Sequence, residues 1–207
     1  MPRADYKKRG ILTIEIIILF IILQFLFSNL RPFLVENPVT VGWINVIFAF
    51  NLIVFFYLVD WIFDVRFKNI HYALIAFIAL GGFIFGPLCY AWEYYDKFLH
   101  IVSPVMAVAI IFYIIRNLKI NLRWKLAFSY FTVAGILGMF EVEEFLLDKF
   151  FNSHLQGVFI VKTVTVLKTM MDPLTDTHMD LMLGFSSALV YCLIVYFYHR
   201  SKRTRNL

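Results

Sequence analysis

Three short stretches of this sequence place acids at helical spacing. DKFLH, residues 96–100, sets Asp96 four residues before His100. EVEEF, residues 141–145, sets Glu141 three residues before Glu144. DPLTDTHMDL, residues 172–181, repeats an aspartate every fourth residue, at Asp172, Asp176 and Asp180. One imidazole among several carboxylates is a donor set for a hard or borderline divalent cation such as Mg²⁺, Mn²⁺ or Zn²⁺. In that chemistry His100 is a ligand or a base, and Asp96, one turn earlier, orients its ring. Glu141, Glu144, Asp176 and Asp180 are ligands or acid/base groups. The catalytic candidates are thus His100, Asp96 and Glu144. The metal candidates are His100, Glu141, Glu144, Asp176 and Asp180.

Helical spacing also says what lies beside these groups. Residues three and four apart share a face. The Asp96–His100 face continues through Ser103, Pro104 and Ala107. The Asp176–Asp180 face continues through Gly184, Ser187 and Ala188, and Gly135 and Gly138 precede Glu141. Small residues along a stripe let helices approach closely in a membrane. Glu143 and His178 are turned away from the shared faces. Asp172, followed by Pro173, reads as a helix cap with proline at the first helical position. A carboxylate at the bilayer centre costs about 2.5–3.5 kcal/mol on insertion scales, and less near the interface. Several together need protons, basic partners or a cation, and Lys97 is the one base within the three motifs.

The elements that must hold these motifs are membrane helices. Of 207 residues, 61% are hydrophobic and only 16% charged, with a mean hydropathy of +0.78. Soluble domains are nearer half apolar and a quarter charged. The expected fold is all-α, a single polytopic membrane domain over 1–207. Six apolar runs approach the roughly 20 residues a span needs, near 11–30, 42–63, 71–92, 98–116, 124–147 and 178–199. The first run reads as a retained span, because its core is long for a signal peptide and no small-residue cleavage site follows. Trp43, Trp61, Trp92 and Trp124, with Tyr90, Tyr94 and Tyr95, fall near span ends as an interfacial aromatic belt. The outer loop, 148–177, contains an apolar, β-branched stretch at 157–171, open to a surface-lying or re-entrant segment or to a strand pair.

Charge supplies the orientation. The N-terminus (Arg3, Lys7, Lys8, Arg9), the loop after span two (Arg66, Lys68), the loop after span four (Arg116, Lys119, Arg123, Lys125) and the C-terminal tail (Arg200, Lys202, Arg203, Arg205) hold 14 of the 19 Lys and Arg residues. In a six-span arrangement they share one side, so the positive-inside bias puts both termini in the cytoplasm. The net charge of +5 therefore reads as a topology signal, not as a nucleic-acid surface. Asp60 and Asp64, beside Arg66 and Lys68, read as an interfacial charge cluster. Glu15, near Lys7 and Lys8, reads as a snorkelling side chain. His71, His154 and His199 are terminal or loop residues without ligand spacing. Cys89 and Cys192 lie in apolar runs and read as small buried hydrophobes.

In this order, DKFLH, EVEEF and DPLTDTHMDL resemble the YjdF-type family of small polytopic inner-membrane proteins. The likeness covers about residues 70–199. The sequence departs from that family at Met170–Met171–Asp172, where a Gln-Gly-Asp is usual, and at Leu181, where a methionine is usual. A weaker likeness to VanZ-like membrane proteins rests on the D-K-x-x-H element. The resemblance implies a shared site and no particular reaction. The residues themselves point to a membrane enzyme acting at the outer leaflet on a lipid or lipid-linked substrate. A proton- or cation-coupled transporter is the alternative; the inner halves of spans four to six are nearly all apolar, while Gly81, Gly82 and Gly86 are candidate helix breaks in span three. A structural or partner subunit is a third reading. Membrane lipids are the expected surroundings, and no protein partner is legible. A di-iron carboxylate bundle wants E-x-x-H on two helices, and E-x-x-E with one inward His matches it poorly. No serine triad, phosphate loop or dinucleotide fingerprint occurs.

Overall fold

The computed structural model describes residues 42–151, 155–163 and 166–205. The expected span at 11–30, with Glu15 and the basic N-terminus, lies outside these residues, as does His154. The described chain is mostly helical: α1 (Gly42–Phe63), α2 (Asn69–Ala79), α3 (Tyr95–Ile115), α4 (Leu122–Phe151) and α5 (Pro173–Arg205). Between α4 and α5 stand two paired strands, β1 (Val158–Thr163) and β2 (Val166–Met171). The pairing settles the outer stretch at 157–171, which the sequence left open, as a strand pair within an otherwise helical chain. Apolar β-branched residues favour a pleated backbone, and 157–171 is too short to span as a helix.

Among the described residues, α3, α4 and α5 are long and apolar enough to cross a membrane. The 42–63 run is helical over its whole expected length. The 71–92 run is not one continuous α-helix. Its helix passes into a π turn over Leu80–Ile84, closed by Phe85 N–H donating to Leu80 O at 2.8 Å, and then a 3₁₀ turn over Gly86–Tyr90. The helical part, 69–84, is roughly 24 Å long at 1.5 Å per residue, short of the roughly 30 Å hydrocarbon core. Gly81 and Gly82 weaken the helix there, and Pro87 disfavours helical backbone at Gly86.

The helices belong to two compact units. The first contains α1, α2 and the turns after α2. Its core is Ala49, Ile53, Ala79 and Ile84, with Leu52, Tyr57, Leu80 and Phe83 packed around them. At its charged end the expected cluster divides. Asp64 pairs with Arg66 at 2.8 Å on the surface, and the guanidinium holds the Asp64 carboxyl below the usual carboxylate range. Asp60 is instead buried, accepting from Phe67 N–H at 3.1 Å and Tyr72 Oη–H at 2.6 Å. His71, expected to be a bland terminal residue, is buried and takes the Lys68 N–H on Nδ1 at 3.1 Å, capping α2.

The second unit contains α3, α4 and α5. Asn121 starts α4 by accepting the Trp124 N–H at 3.0 Å. Asp172 starts α5 by accepting the Thr175 N–H at 3.1 Å, with Pro173 at the first helical position. The hydrogen bond with the Thr175 side chain, then that with its amide, holds the Asp172 carboxyl below the usual range. The core of this unit is Val108, Leu126, Val133, Ala188 and Cys192. The expected burial thus holds for Cys192, while Cys89 is only half-buried. Outward faces carry exposed Phe98, Phe128, Phe131, Met139, Val190 and Phe197, a surface suited to lipid. Trp61, Trp92 and Trp124 are exposed near helix ends as a belt requires, whereas Tyr95 is buried.

At Gly184, α5 packs closely against both α4 and α3. A Cβ there would stand 2.7 Å from Leu137 Cδ1 and 3.6 Å from His100 O. Gly184→Val is expected to cost about 1–3 kcal/mol, as overpacked cores do. Adding Leu137→Ala should recover part of that loss in a double-mutant cycle read by thermal unfolding in detergent. In the first unit, Asp60→Ala leaves two buried donors without this acceptor and should cost more than Tyr72→Phe, by about 1–3 kcal/mol. Equal losses in the two variants would show that the carboxylate contributes nothing beyond the tyrosine contact.

Candidate functional site

The three motifs meet at one end of the second unit, at the start of α3, the end of α4 and the start of α5. At the centre is a group whose role the sequence understates. Lys97 Nζ donates to Asp180 Oδ1 at 2.6 Å and Oδ2 at 2.8 Å, to Asp96 Oδ2 at 3.0 Å, and to Asp176 Oδ1. Asp176 and Asp180 are almost wholly buried. An ammonium has three N–H donors, so four carboxylate oxygens saturate it.

His100 and Asp180 flank this node. His100 Nε2 lies 3.5 Å from Asp96 Oδ1, and both His100 and Asp180 are buried. Asp96, His100 and Asp180 can each offer one ligand atom, all within 4.8 Å of one another. On α4, Glu141 is 5% exposed, and its Oε2 is buried with no hydrogen-bond partner among the described residues. Glu141 interacts electrostatically with His100, Asp96 and Asp176, and Glu144 with Glu141, Asp96, Asp180 and Asp176. All six candidate residues are therefore brought together. Glu143 is exposed, and the exposed His178 spends Nδ1 on Leu174 O at 2.7 Å.

A short segment after α4 braces the cluster. Asp148 accepts the N–H groups of Leu155 at 2.7 Å and Gln156 at 2.8 Å. Gln156 Nε2 donates to Thr177 Oγ1 at 3.0 Å and to Glu141 O at 3.5 Å. Gly157, at φ 95°, donates its N–H to Asp176 Oδ2 at 2.7 Å. That backbone region favours glycine. Asp176 is thus held by the lysine on one oxygen and by the brace on the other.

Lys97 had a visible signal, being the one base inside three acidic motifs. Its spacing from Asp96, a single residue, gave no reason to expect it to reach α5. Asp148 and Gln156 carried no signal, because their partners are backbone amides and a threonine hydroxyl.

Five carboxylates, one ammonium and one imidazole at the end of a membrane helix bundle define a helical membrane protein with a largely buried charged cluster. The chain belongs to the DUF2238 family of predicted membrane proteins, whose profile matches residues 13–201. This agrees with the YjdF-type resemblance. No curated protein and no solved structure matches the chain.

The brace makes a prediction about local dynamics. Asp148→Ala removes the acceptor of two amides, so hydrogen exchange at Leu155 and Gln156 should accelerate by tenfold or more, about 1.4 kcal/mol of lost protection. Exchange in the middle of α3 should not change. Unchanged exchange at 155–156 would mean that Asp148 does not hold the segment.

Proposed function

We propose that this cluster is a divalent-cation site of a membrane enzyme acting on a lipid or lipid-linked substrate at the outer leaflet. The observation that carries the reading is the convergence of Asp96, His100 and Asp180 to within 4.8 Å. The buried Oε2 of Glu141 supports it, since an unpartnered buried carboxylate oxygen is costly unless something binds it. Formal charge supports it as well. Five carboxylates against one ammonium leave −4, or −3 with His100 protonated. At an effective dielectric of 20, two like charges about 4 Å apart repel by about 4 kcal/mol.

In this reading Asp96, His100 and Asp180 hold the ion, with Glu141, Glu144 and Asp176 beside it as further ligands or proton-transfer groups. A bound divalent cation polarises an ester or phosphoryl oxygen and lowers the pKa of bound water. The reaction class is metal-assisted hydrolysis or group transfer. Six spans with cytoplasmic termini put the site at the outer face. That placement rests on the positive-inside count and on the opposite end of the second unit, where Arg116, Arg123, Lys125 and Arg200 lie. The transporter reading is less favoured. Away from the cluster, α3, α4 and α5 pack through Val108, Leu126, Val133 and Ala188, and the buried Ser129 hydroxyl among them is spent on Lys125 O at 2.9 Å, whereas a conduction path lines its route with polar groups.

The test is elemental mass spectrometry of protein purified in detergent without chelators, with Asp180→Ala and His100→Ala beside the wild type. Near-stoichiometric metal in the wild type, lost in both variants while circular dichroism is retained, is the expected result. Absence of metal from all three samples would sink the proposal and direct attention to proton flux in liposomes.

A further inference from the structure

The lysine and the ion cannot both have Asp180. Lys97 Nζ lies 2.6 and 2.8 Å from the two Asp180 oxygens. Asp180 is also the ligand that α5 would contribute to the Asp96–His100–Asp180 set. Asp96 is shared in the same way, one oxygen 3.0 Å from Lys97 and the other 3.5 Å from His100. A divalent cation in that set would draw on oxygens that the ammonium already holds, and would set two cations against each other in a low-dielectric site. Lys97 has somewhere else to go. Its third partner, Asp176, lies outside the triad and is fixed from its far side by Gly157 N–H at 2.7 Å. The side chain has four rotatable methylene bonds with which to move.

We infer that Lys97 is a tethered counter-cation that exchanges with the divalent ion: ion binding shifts the ammonium off Asp180 and leaves it on Asp176. This rests on the divalent-cation reading above. The exchange makes Lys97 a positioning and selectivity residue of the site. A monovalent ion offers the carboxylates no more charge than the ammonium does, so only a divalent ion gains by replacing it. The buried Glu141 Oε2 marks where additional negative charge is available to the incoming ion without cost to an existing hydrogen bond. The displaced ammonium would then remain on Asp176, next to the set in sequence and space.

The probe is Mn²⁺, titrated by electron paramagnetic resonance into wild type, Lys97→Met and Lys97→Gln in detergent. Both substitutions keep most of the length and remove the charge. A charge-assisted hydrogen bond competes with the ion at a strength that predicts about tenfold tighter Mn²⁺ binding in the variants. Their thermal stability should fall without Mn²⁺ and recover with it. Binding in the wild type that is unchanged or weaker in both variants overturns the exchange while leaving the cation site standing. No binding in any of the three overturns both. Binding in the variants alone would show that Lys97 excludes the ion from the native site instead of exchanging with it, and overturns the proposal. A second measurement uses only the wild type, so it holds even where the variants fail to fold. Acetylation of Lys97 by acetic anhydride, read by peptide mass spectrometry, should rise several-fold at saturating Mn²⁺. Equal labelling with and without Mn²⁺, under conditions where Mn²⁺ is bound, would show that the ammonium does not move.

Discussion

Charge buried at the end of a helix bundle must be compensated, and Lys97 answers that demand for three aspartates at once. The contact joins the first turn of α3 to the first two turns of α5, and so sets how the two helices start against each other. Breaking such a buried pair by removing one partner leaves an uncompensated charge, which is far costlier than losing a surface pair. The brace from Asp148 through Gln156 and Gly157 follows from the same constraint. Asp176 has a second oxygen to satisfy, and the backbone of the segment after α4 supplies the donor. Glu141 and Glu144 stand outside the hydrogen bonds that Lys97 makes.

Below this end the second unit is built on different physics. Lipid offers no hydrophobic drive for helices to associate, so close packing does the work. Gly184 lets α5 settle against Leu137 of α4 and the His100 carbonyl of α3, one turn beyond Asp180. This close packing adjoins the charged layer. Farther along, Val108, Val133 and Ala188 close the interface with apolar contacts. Among the described residues of this unit, the buried carboxylates are thus gathered at one end.

Asp60 in the first unit offers a contrast. It too is a buried carboxylate near a helix end, and among its partners are two neutral donors, the Phe67 amide and the Tyr72 hydroxyl. Around it Phe56 stacks on Phe67 with ring centroids 4.2 Å apart, and Tyr72 meets Phe56 edge-on at 5.3 Å. These contacts fold the loop after α1 back onto α1. The carboxylate here serves as an anchor for the chain.

The sequence by itself determined the membrane character, the limits of most apolar helices and which acids share faces, because hydropathy and a 3.6-residue period are local properties. It marked Asp172 as a cap for the same reason, since its partner Thr175 is three residues away. It left the 71–92 run as one unbroken helix, although Gly81, Gly82 and Gly86 were legible, because whether glycines break a helix depends on the packing around them. It left the strand pair open, because apolar β-branched residues suit a strand and a buried helix alike. Only the tertiary structure decided that Lys97, and not His100, stands at the centre of the cluster. Periodicity tells which way a side chain points along its own helix and is silent about what it meets. Lys97 meets Asp176 and Asp180 across 79 and 83 residues of chain, and such a pairing exists only once α3 and α5 have packed.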